Sequence, residues 1–356
     1  MAEAKSIEVL SLVFTAGAAA GTMLSGAGTW AVCAAILPAA ALPCFFSEKL
    51  VKNGQKLAGI VLWATFLLLG VFCSLNASML PARGVSSLAA DGASRLREII
   101  GTIPFGGKNT APLLNALLTG DRSGLAPELV DAFRRSGASH ILALSGLHMG
   151  IIYLLLDKLT SVIGKHPVSR HIRFWVIVAA ALYFTLMTGA SPSIVRAFLF
   201  IVINEVLKLS GRPRKATRVL CLALLVQLVI QPRVISTLGF QLSYLAMAGV
   251  FTLYPVMEKW YPESHSPLRW IWKSAAMAIS CQVFTGPLVW LRFHSFPRYF
   301  LLANLFALPL VTGLMTLSVG TIALQAMGIC PSAAVWATDS TCKLLVWVLE
   351  TIASLG

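Results

Sequence analysis

Long apolar runs recur along this chain and constrain its fold more than any other feature. A membrane-spanning helix needs roughly 17–25 mainly apolar residues. Eleven runs approach or reach that length: 7–25, 28–46, 57–80, 141–157, 172–189, 193–209, 217–231, 235–255, 272–291, 299–325 and 335–353. Only 12% of the 356 residues are charged, against about 25% in soluble domains. The sequence therefore predicts an all-α polytopic membrane protein with about 11 transmembrane helices, and excludes a soluble or disordered chain.

Basic residues are distributed unevenly between the segments that connect these runs. The chain carries 28 Lys and Arg against 14 Asp and Glu, a net charge of +14. We place the N-terminus in the cytoplasm and let successive runs cross the membrane in alternating directions. The cytoplasmic segments then hold sixteen basic residues and the outer segments hold ten, of which seven lie in 81–140. Cytoplasmic loops collect Lys and Arg, so we expect a cytoplasmic N-terminus and an extracytoplasmic C-terminus. The first run is predicted to be a retained span.

The stretch 81–140 separates N-terminal spans, 1–80, from a C-terminal bundle, 141–356. An apolar stripe predicts an amphipathic helix that contains Leu88, Leu96, Ile99, Ile100 and Ile103. Residues 104–107 break it, Pro112 opens a short helix that ends at Gly120, and another helix follows Pro127. The stretch is expected to lie either in the membrane interface or as a packed extracytoplasmic cap.

The densest polar grouping lies in residues 118–156, where glycines interrupt the sequence and His140, Ser145 and His148 enter an apolar run. Irregular backbone at membrane depth is tolerated only when it is buried in protein or lines a wet cavity. Ser145 and His148 are spaced to face each other on a helix, which allows a Ser–His nucleophile. Without a carboxylate partner on neighbouring runs, a helix-packing face is favoured over it, followed by a pore lining. No metal or cofactor motif is present, so we predict neither cofactor nor metal.

Further polar residues enter the later apolar runs. Arg196 follows a break at Gly189–Ser193, which is typical of a cavity rim. Amide side chains recur across several runs at Gln227, Gln231, Gln241, Gln282 and Asn304. Such amides often bond between helices, but together they form a neutral path with almost no acids. This pattern favours passage of an anion over a cation or proton relay.

Four segments resemble the ComEC/Rec2 family of competence proteins, which take up DNA through the bacterial inner membrane. They are ALLTGDRSGLAPELVDAFRRSGASHILALSGLHMG, GASPSIVRAFL, GRPRKATRVLCLALLVQLVIQPRVISTLGFQLSYLAMAGV and FTGPLVWLRFHSFPRYFLLANLFALPLVTGLMTLSVG. The resemblance covers about residues 85–350. It implies matching positions at Gly120, Asp121, Arg122, His140, Ser145, Gly146, His148, Ser193, Arg196, Gln241 and Asn304. Family members usually also carry an OB-fold domain and often a metallo-β-lactamase-like domain, and this sequence has neither pattern.

The resemblance implies a channel that conducts single-stranded DNA into the cytoplasm during natural transformation. Basic residues of the outer stretch are expected to gather the phosphate backbone: Arg95, Arg97, Arg122, Arg134 and Arg135. The residues Asp121, His140, Ser145, His148, Ser193, Arg196, Gln241 and Asn304 are expected to line the path. We expect no enzymatic activity. The expected partners are the lipid bilayer, a separate nuclease, a DNA receptor and a cytoplasmic motor, and the chain is expected to form a homo-oligomer. The alternatives are a transporter of another anionic or lipid-linked solute and an intramembrane Ser/His hydrolase.

Overall fold

The structure is a computed structural model that describes residues 2–24, 64–71, 73–74, 86–164, 166–261, 267–294 and 298–355. Within these ranges every regular element is a helix and no strand is present. The all-α prediction is therefore confirmed for the described residues. The predicted run 28–46 and most of 57–80 lie outside them.

Fourteen α-helices follow one another along the described residues, and residues 64–71 are also helical. The first seven are α1 (Ala2–Leu24), α2 (Ser86–Thr102), α3 (Thr110–Thr119), α4 (Pro127–Arg135), α5 (Ser139–Leu142), α6 (Gly146–Thr160) and α7 (Pro167–Met187). The other seven are α8 (Pro192–Leu209), α9 (Ala216–Ile230), α10 (Leu238–Thr252), α11 (Tyr254–Glu258), α12 (Pro267–Phe293), α13 (Phe300–Ala326) and α14 (Ser332–Ser354).

Four segments are long and apolar enough to cross a membrane: Val168–Met187, Leu238–Glu258, Leu268–Phe293 and Phe300–Ala326. They correspond to four of the eleven predicted runs, so the count of eleven is not confirmed. The helices α6 and α9 have only 15 residues each. Large apolar side chains, including Trp175, Trp290 and Trp336, face outward from the helices. Such extensive apolar exposure is typical of lipid contact, and the chain is a membrane protein.

The described helices fall into two compact units. The first unit lies within Met1–Arg83 and Phe198–Gln241, and the second within Gly84–Ala197 and Leu242–Gly356. In the first unit, α1 packs against α9 and against the helical residues 64–71. A side chain at Gly17 would overlap the backbone of Leu67, so glycine allows these two helices to approach closely.

The core of the second unit is centred on α13 and α14. Fully buried Ala307 and Leu314 of α13 pack in one cluster with Leu345 and Leu349 of α14. Residues at these spacings share one helix face, so each helix presents a continuous apolar stripe to the other. The hydroxyls of Thr321 and Thr338, which lie 3.0 Å apart, add a buried hydrogen bond between the helices.

The helices of the predicted outer stretch belong to this same core. The buried residues are Leu113 and Leu117 of α3, Phe133 of α4, Ile100 of α2, and Ile103, which directly follows α2. The bounds of these helices agree with the breaks predicted at 104–107, Gly120 and Pro127. Because the apolar stripe of α2 packs on protein, the packed-cap interpretation is favoured over an interfacial helix. Whether the stretch lies outside the membrane stays a prediction.

Candidate functional site

The turn that joins α3 to α4 is held by one carboxylate. Gly120 ends α3 with a positive φ of 82°, a conformation that glycine adopts without steric cost. Asp121 then accepts hydrogen bonds from the backbone and hydroxyl of Ser123 and pairs with Arg97 at 2.7 Å. The Ser123 hydrogen bonds, helped by Arg97, lower the pKa of Asp121 to about 2. Arg97 and Asp121, both predicted to contact DNA, are therefore partners of each other.

Of the other four arginines that were predicted to gather DNA, one is engaged by the protein and three are free. Arg122 donates to the backbone carbonyl of Leu142 at 2.8 Å. Arg95, Arg134 and Arg135 are exposed, and none forms an ion pair with another described residue. These three arginines are thus available to bind an anion from solution.

Ser145 and His148 meet at the start of α6, as their spacing predicts. Ser145 is the N-cap of the helix, and its backbone N–H donates to Nδ1 of His148 at 3.0 Å. The Ser145 hydroxyl lies 3.1 Å from the same nitrogen and accepts from the N–H of Leu147 at 3.3 Å. Together these contacts form a capping box, in which residues N-cap and N3 satisfy each other's backbone donors.

The cap determines which nitrogen of His148 carries the proton. Since Nδ1 accepts from a backbone N–H, the neutral ring is protonated on Nε2. His148 is 1% exposed, and its Nε2 atom has no hydrogen-bond partner. A Ser–His nucleophile would need a carboxylate on that nitrogen to orient the ring, and no described residue supplies one. The pair is built as a helix cap.

Arg196 lies against this same helix end. It belongs to the first turns of α8, and a Cβ built on Gly146 would lie 3.5 Å from its Nη2 atom. The guanidinium stands over the ring of Tyr244 at 5.6 Å from the centroid. Arg196 is 8% exposed, its Nη1 atom has no hydrogen-bond partner, and no described carboxylate pairs with it. The guanidinium is therefore a buried cation without a counter-ion.

Two further predicted residues lie nearby. His140 lies near Gly137, Asn304 and His148, and the buried Oδ1 atom of Asn304 has no hydrogen-bond partner among the described residues. We call the set of His140, Ser145, Gly146, His148, Arg196 and Asn304 the α6 cluster. Residues from three separated parts of the sequence thus meet around the first turn of one helix.

Ser193 and Gln241 have hydrogen-bond partners outside the α6 cluster. The hydroxyl of Ser193 is 3.5 Å from that of Ser243 in the second unit. Gln241 belongs to the first unit, where its amide donates to the backbone carbonyl of Ile235 at 2.9 Å. That bond is local, within the turn that precedes α10.

Sequence reasoning missed Asp339, which lies in the predicted run 335–353. Its carboxylate is 6% exposed and accepts from the backbone N–H of Gly107 at 2.9 Å and from Thr110 at 2.6 Å. Lys343 pairs with it at 2.7 Å. An acid inside an apolar run was the available signal, since such residues are costly and have specific partners. Tyr244 was missed as well, because its contact with Arg196 depends on the packing of α8 against α10.

Most of this chain matches one known protein family. Residues 117–356, about two thirds of the chain, match the family described as Competence protein. The chain therefore belongs to the competence protein family. The matched range includes the whole α6 cluster, whereas Arg95 and Arg97 precede it.

Three relatives share parts of this sequence. The chain is 32% identical over 133 residues to ComE operon protein 3 of Bacillus subtilis, which is 37% of this chain and 17% of that protein. It is 26% identical over 245 residues to the uncharacterized protein YcaI of Escherichia coli, covering 65% of this chain and 32% of that protein. It is 33% identical over 94 residues to competence protein ComA of Neisseria gonorrhoeae, covering 25% and 14% respectively. The matches span less than a third of each relative's length. No solved structure matches the chain.

Proposed function

We propose that this protein conducts single-stranded DNA through the bacterial cytoplasmic membrane during natural transformation. The match of residues 117–356 to the competence protein family carries the proposal. It is supported by buried polar groups inside a helical unit whose surface is apolar. Polar side chains at membrane depth are expensive, so their presence favours a pathway for a polar substrate.

The exposed arginines of α2 and α4 would gather the strand. Arg134 and Arg135 lie in the last turn of α4 and are not engaged by a described acid, so phosphates can displace their small counter-ions. Phe133 is fully buried in the core, so its ring packs on protein and is not available to stack on bases. In this proposal attraction at the rim is electrostatic and independent of base sequence.

The proposed orientation places the N-terminus in the cytoplasm and the C-terminus outside, as the distribution of basic residues predicts. A separate nuclease would supply the single strand, a receptor would deliver it, and a cytoplasmic motor would pull it. The channel would act as a homo-oligomer in the lipid bilayer. No bond is made or broken by the protein in this scheme.

The decisive experiment uses a naturally transformable strain in which the gene for this chain is deleted. Labelled donor DNA should reach a nuclease-resistant cytoplasmic pool only when the full chain is restored on a plasmid. Binding of DNA at the cell surface should be unchanged, because the receptor is separate. Normal transformation of the deletion strain would refute the channel.

Charge reversal at Arg134 and Arg135 tests the proposed rim. Arg134→Glu with Arg135→Glu should lower uptake about tenfold, and the defect should grow as salt is lowered because repulsion is then less screened. The matched control is Arg134→Lys with Arg135→Lys, which keeps both charges and should retain uptake. Equal uptake by both double variants would show that these two charges play no part in DNA uptake and serve only the end of the helix.

A further inference from the structure

The α6 cluster presents three electropositive groups at one buried place. The N-terminus of a helix carries a partial positive charge from its unpaired N–H groups. The guanidinium of Arg196 lies against Gly146, the first residue of that helix. The protonated Nε2 of His148, in the same first turn, is a buried donor with no partner among the described residues.

This arrangement is unfavourable as it stands. Cations are stabilised at the C-terminus of a helix and repelled at its N-terminus, yet Arg196 lies at the N-terminus of α6. A buried charge is normally paired or hydrogen-bonded, whereas Arg196 forms no hydrogen bond or ion pair with a described residue and has only a cation–π contact with the ring of Tyr244. An anion placed between guanidinium and helix would remove both defects.

We propose that the α6 cluster binds one phosphodiester group of the DNA strand, with Arg196, the backbone N–H of Gly146 and Nε2–H of His148 as donors. The inference rests on the proposed function for the source of the phosphate. Guanidinium is a planar fork that matches two phosphate oxygens, and helix N-termini recurrently hold phosphates. The absence of a side chain at Gly146 leaves its backbone accessible beside Nη2 of Arg196.

The capping box has a second role in this site. By accepting the backbone N–H of Ser145, Nδ1 of His148 holds the ring in one tautomer, so that Nε2 always carries a proton. The donor is therefore oriented before the anion arrives. Ser145 acts as a positioning residue for His148.

Binding of a fluorescent oligothymidylate to the purified full chain in phosphatidylcholine nanodiscs tests the site. Arg196→Met should weaken binding about tenfold or more, the size expected for loss of hydrogen bonds to a charged group. The matched control is Arg292→Met, which removes one exposed positive charge from the end of α12 and should change affinity less than about twofold. Inorganic phosphate should compete with the oligonucleotide on the wild type more effectively than on Arg196→Met.

Two variants at His148 distinguish its role as a hydrogen-bond donor to the anion from its role in the capping box. Both Gln and Glu can complete a capping box at this position, but only Gln offers a donor. His148→Gln should therefore bind within about threefold of the wild type, whereas His148→Glu should lose binding. Thermal unfolding of each variant shows that the comparison is made between folded proteins.

The outcomes distinguish this site from the channel itself. Equal affinity of wild type and Arg196→Met, or no binding by either, would overturn the phosphate site while the deletion strain still reports on the channel. Dependence on Arg196 seen only with phosphatidylglycerol in the nanodisc, and never with the oligonucleotide, would overturn the assignment to DNA. Normal transformation of the deletion strain would instead refute the proposed function and leave the binding result standing.

Discussion

Two buried charges in the second unit have opposite surroundings. Asp339 accepts from Gly107, Thr110 and Lys343 at 2.9, 2.6 and 2.7 Å. Arg196 is almost as buried but has one aromatic face and no hydrogen bond among the described residues. A buried charge that has all its hydrogen-bond partners is compatible with a stable fold. A buried charge without them costs folding free energy, and a ligand that supplies the missing partners removes that cost.

Removal of the Asp339 carboxylate should have the largest effect on stability. Asp339→Ala leaves the donors of Gly107 and Thr110 without an acceptor, and we expect the free energy of unfolding to fall by about 2–3 kcal/mol. Thermal unfolding in detergent measures the loss. Glu350→Ala, which removes an exposed acid from the same helix, should change stability by less than about 0.5 kcal/mol. Equal effects of the two variants would contradict the structural role of Asp339.

Loss of the α6 cap should have an intermediate effect. Ser145→Ala removes the acceptor of the Leu147 N–H and should lower the free energy of unfolding by about 1 kcal/mol. Because alanine keeps the backbone N–H that orients His148, DNA uptake should fall no further than the loss of folded protein explains. Ser145→Asp should restore stability because aspartate is also a good N-cap. Complete loss of uptake by folded Ser145→Ala protein would favour the hydrolase alternative.

Replacement of Arg196 should leave stability unchanged or improve it. Methionine has a similar length and no charge, so Arg196→Met removes the unpaired cation at the helix N-terminus, and we expect a gain of about 0–1 kcal/mol. The measurement is thermal unfolding without DNA or phosphate. A loss of stability as large as that of Asp339→Ala would show that both charges are structural.

The exposed pair of Asp121 and Arg97 should have the smallest effect, and it depends on pH. The pKa of Asp121 is about 2 in the folded protein and near 3.8 when unfolded. A lowered folded pKa stabilises the protein above pH 3.8, and this contribution is lost as the pH falls towards 2. Because the pair is exposed, the contribution is small. The gap in unfolding temperature between wild type and Asp121→Asn should be present at pH 6 and vanish near pH 2, whereas a constant gap would contradict the titration.

Local signals in the sequence were sufficient to predict many of the helix ends in this fold. Gly120 and Pro127 end and begin helices where predicted, because φ preferences act within one turn. The i, i+3 spacing of Ser145 and His148 predicted their contact, but it could not distinguish a cap from a nucleophile, since that depends on the backbone at Ser145. Two partners of Asp339, Gly107 and Thr110, are more than 200 residues away in the sequence, so no local pattern reveals them. The isolation of Arg196 likewise follows from what surrounds it in three dimensions.

The length of α6 has a consequence for how the protein is made. Its 15 residues are fewer than the roughly 17–25 that span a bilayer, and it packs against α13, which the ribosome synthesises about 150 residues later. A helix of this kind cannot complete its burial as it leaves the translocon. We expect the second unit to mature late, through a partly assembled intermediate that waits at the membrane for its last two helices.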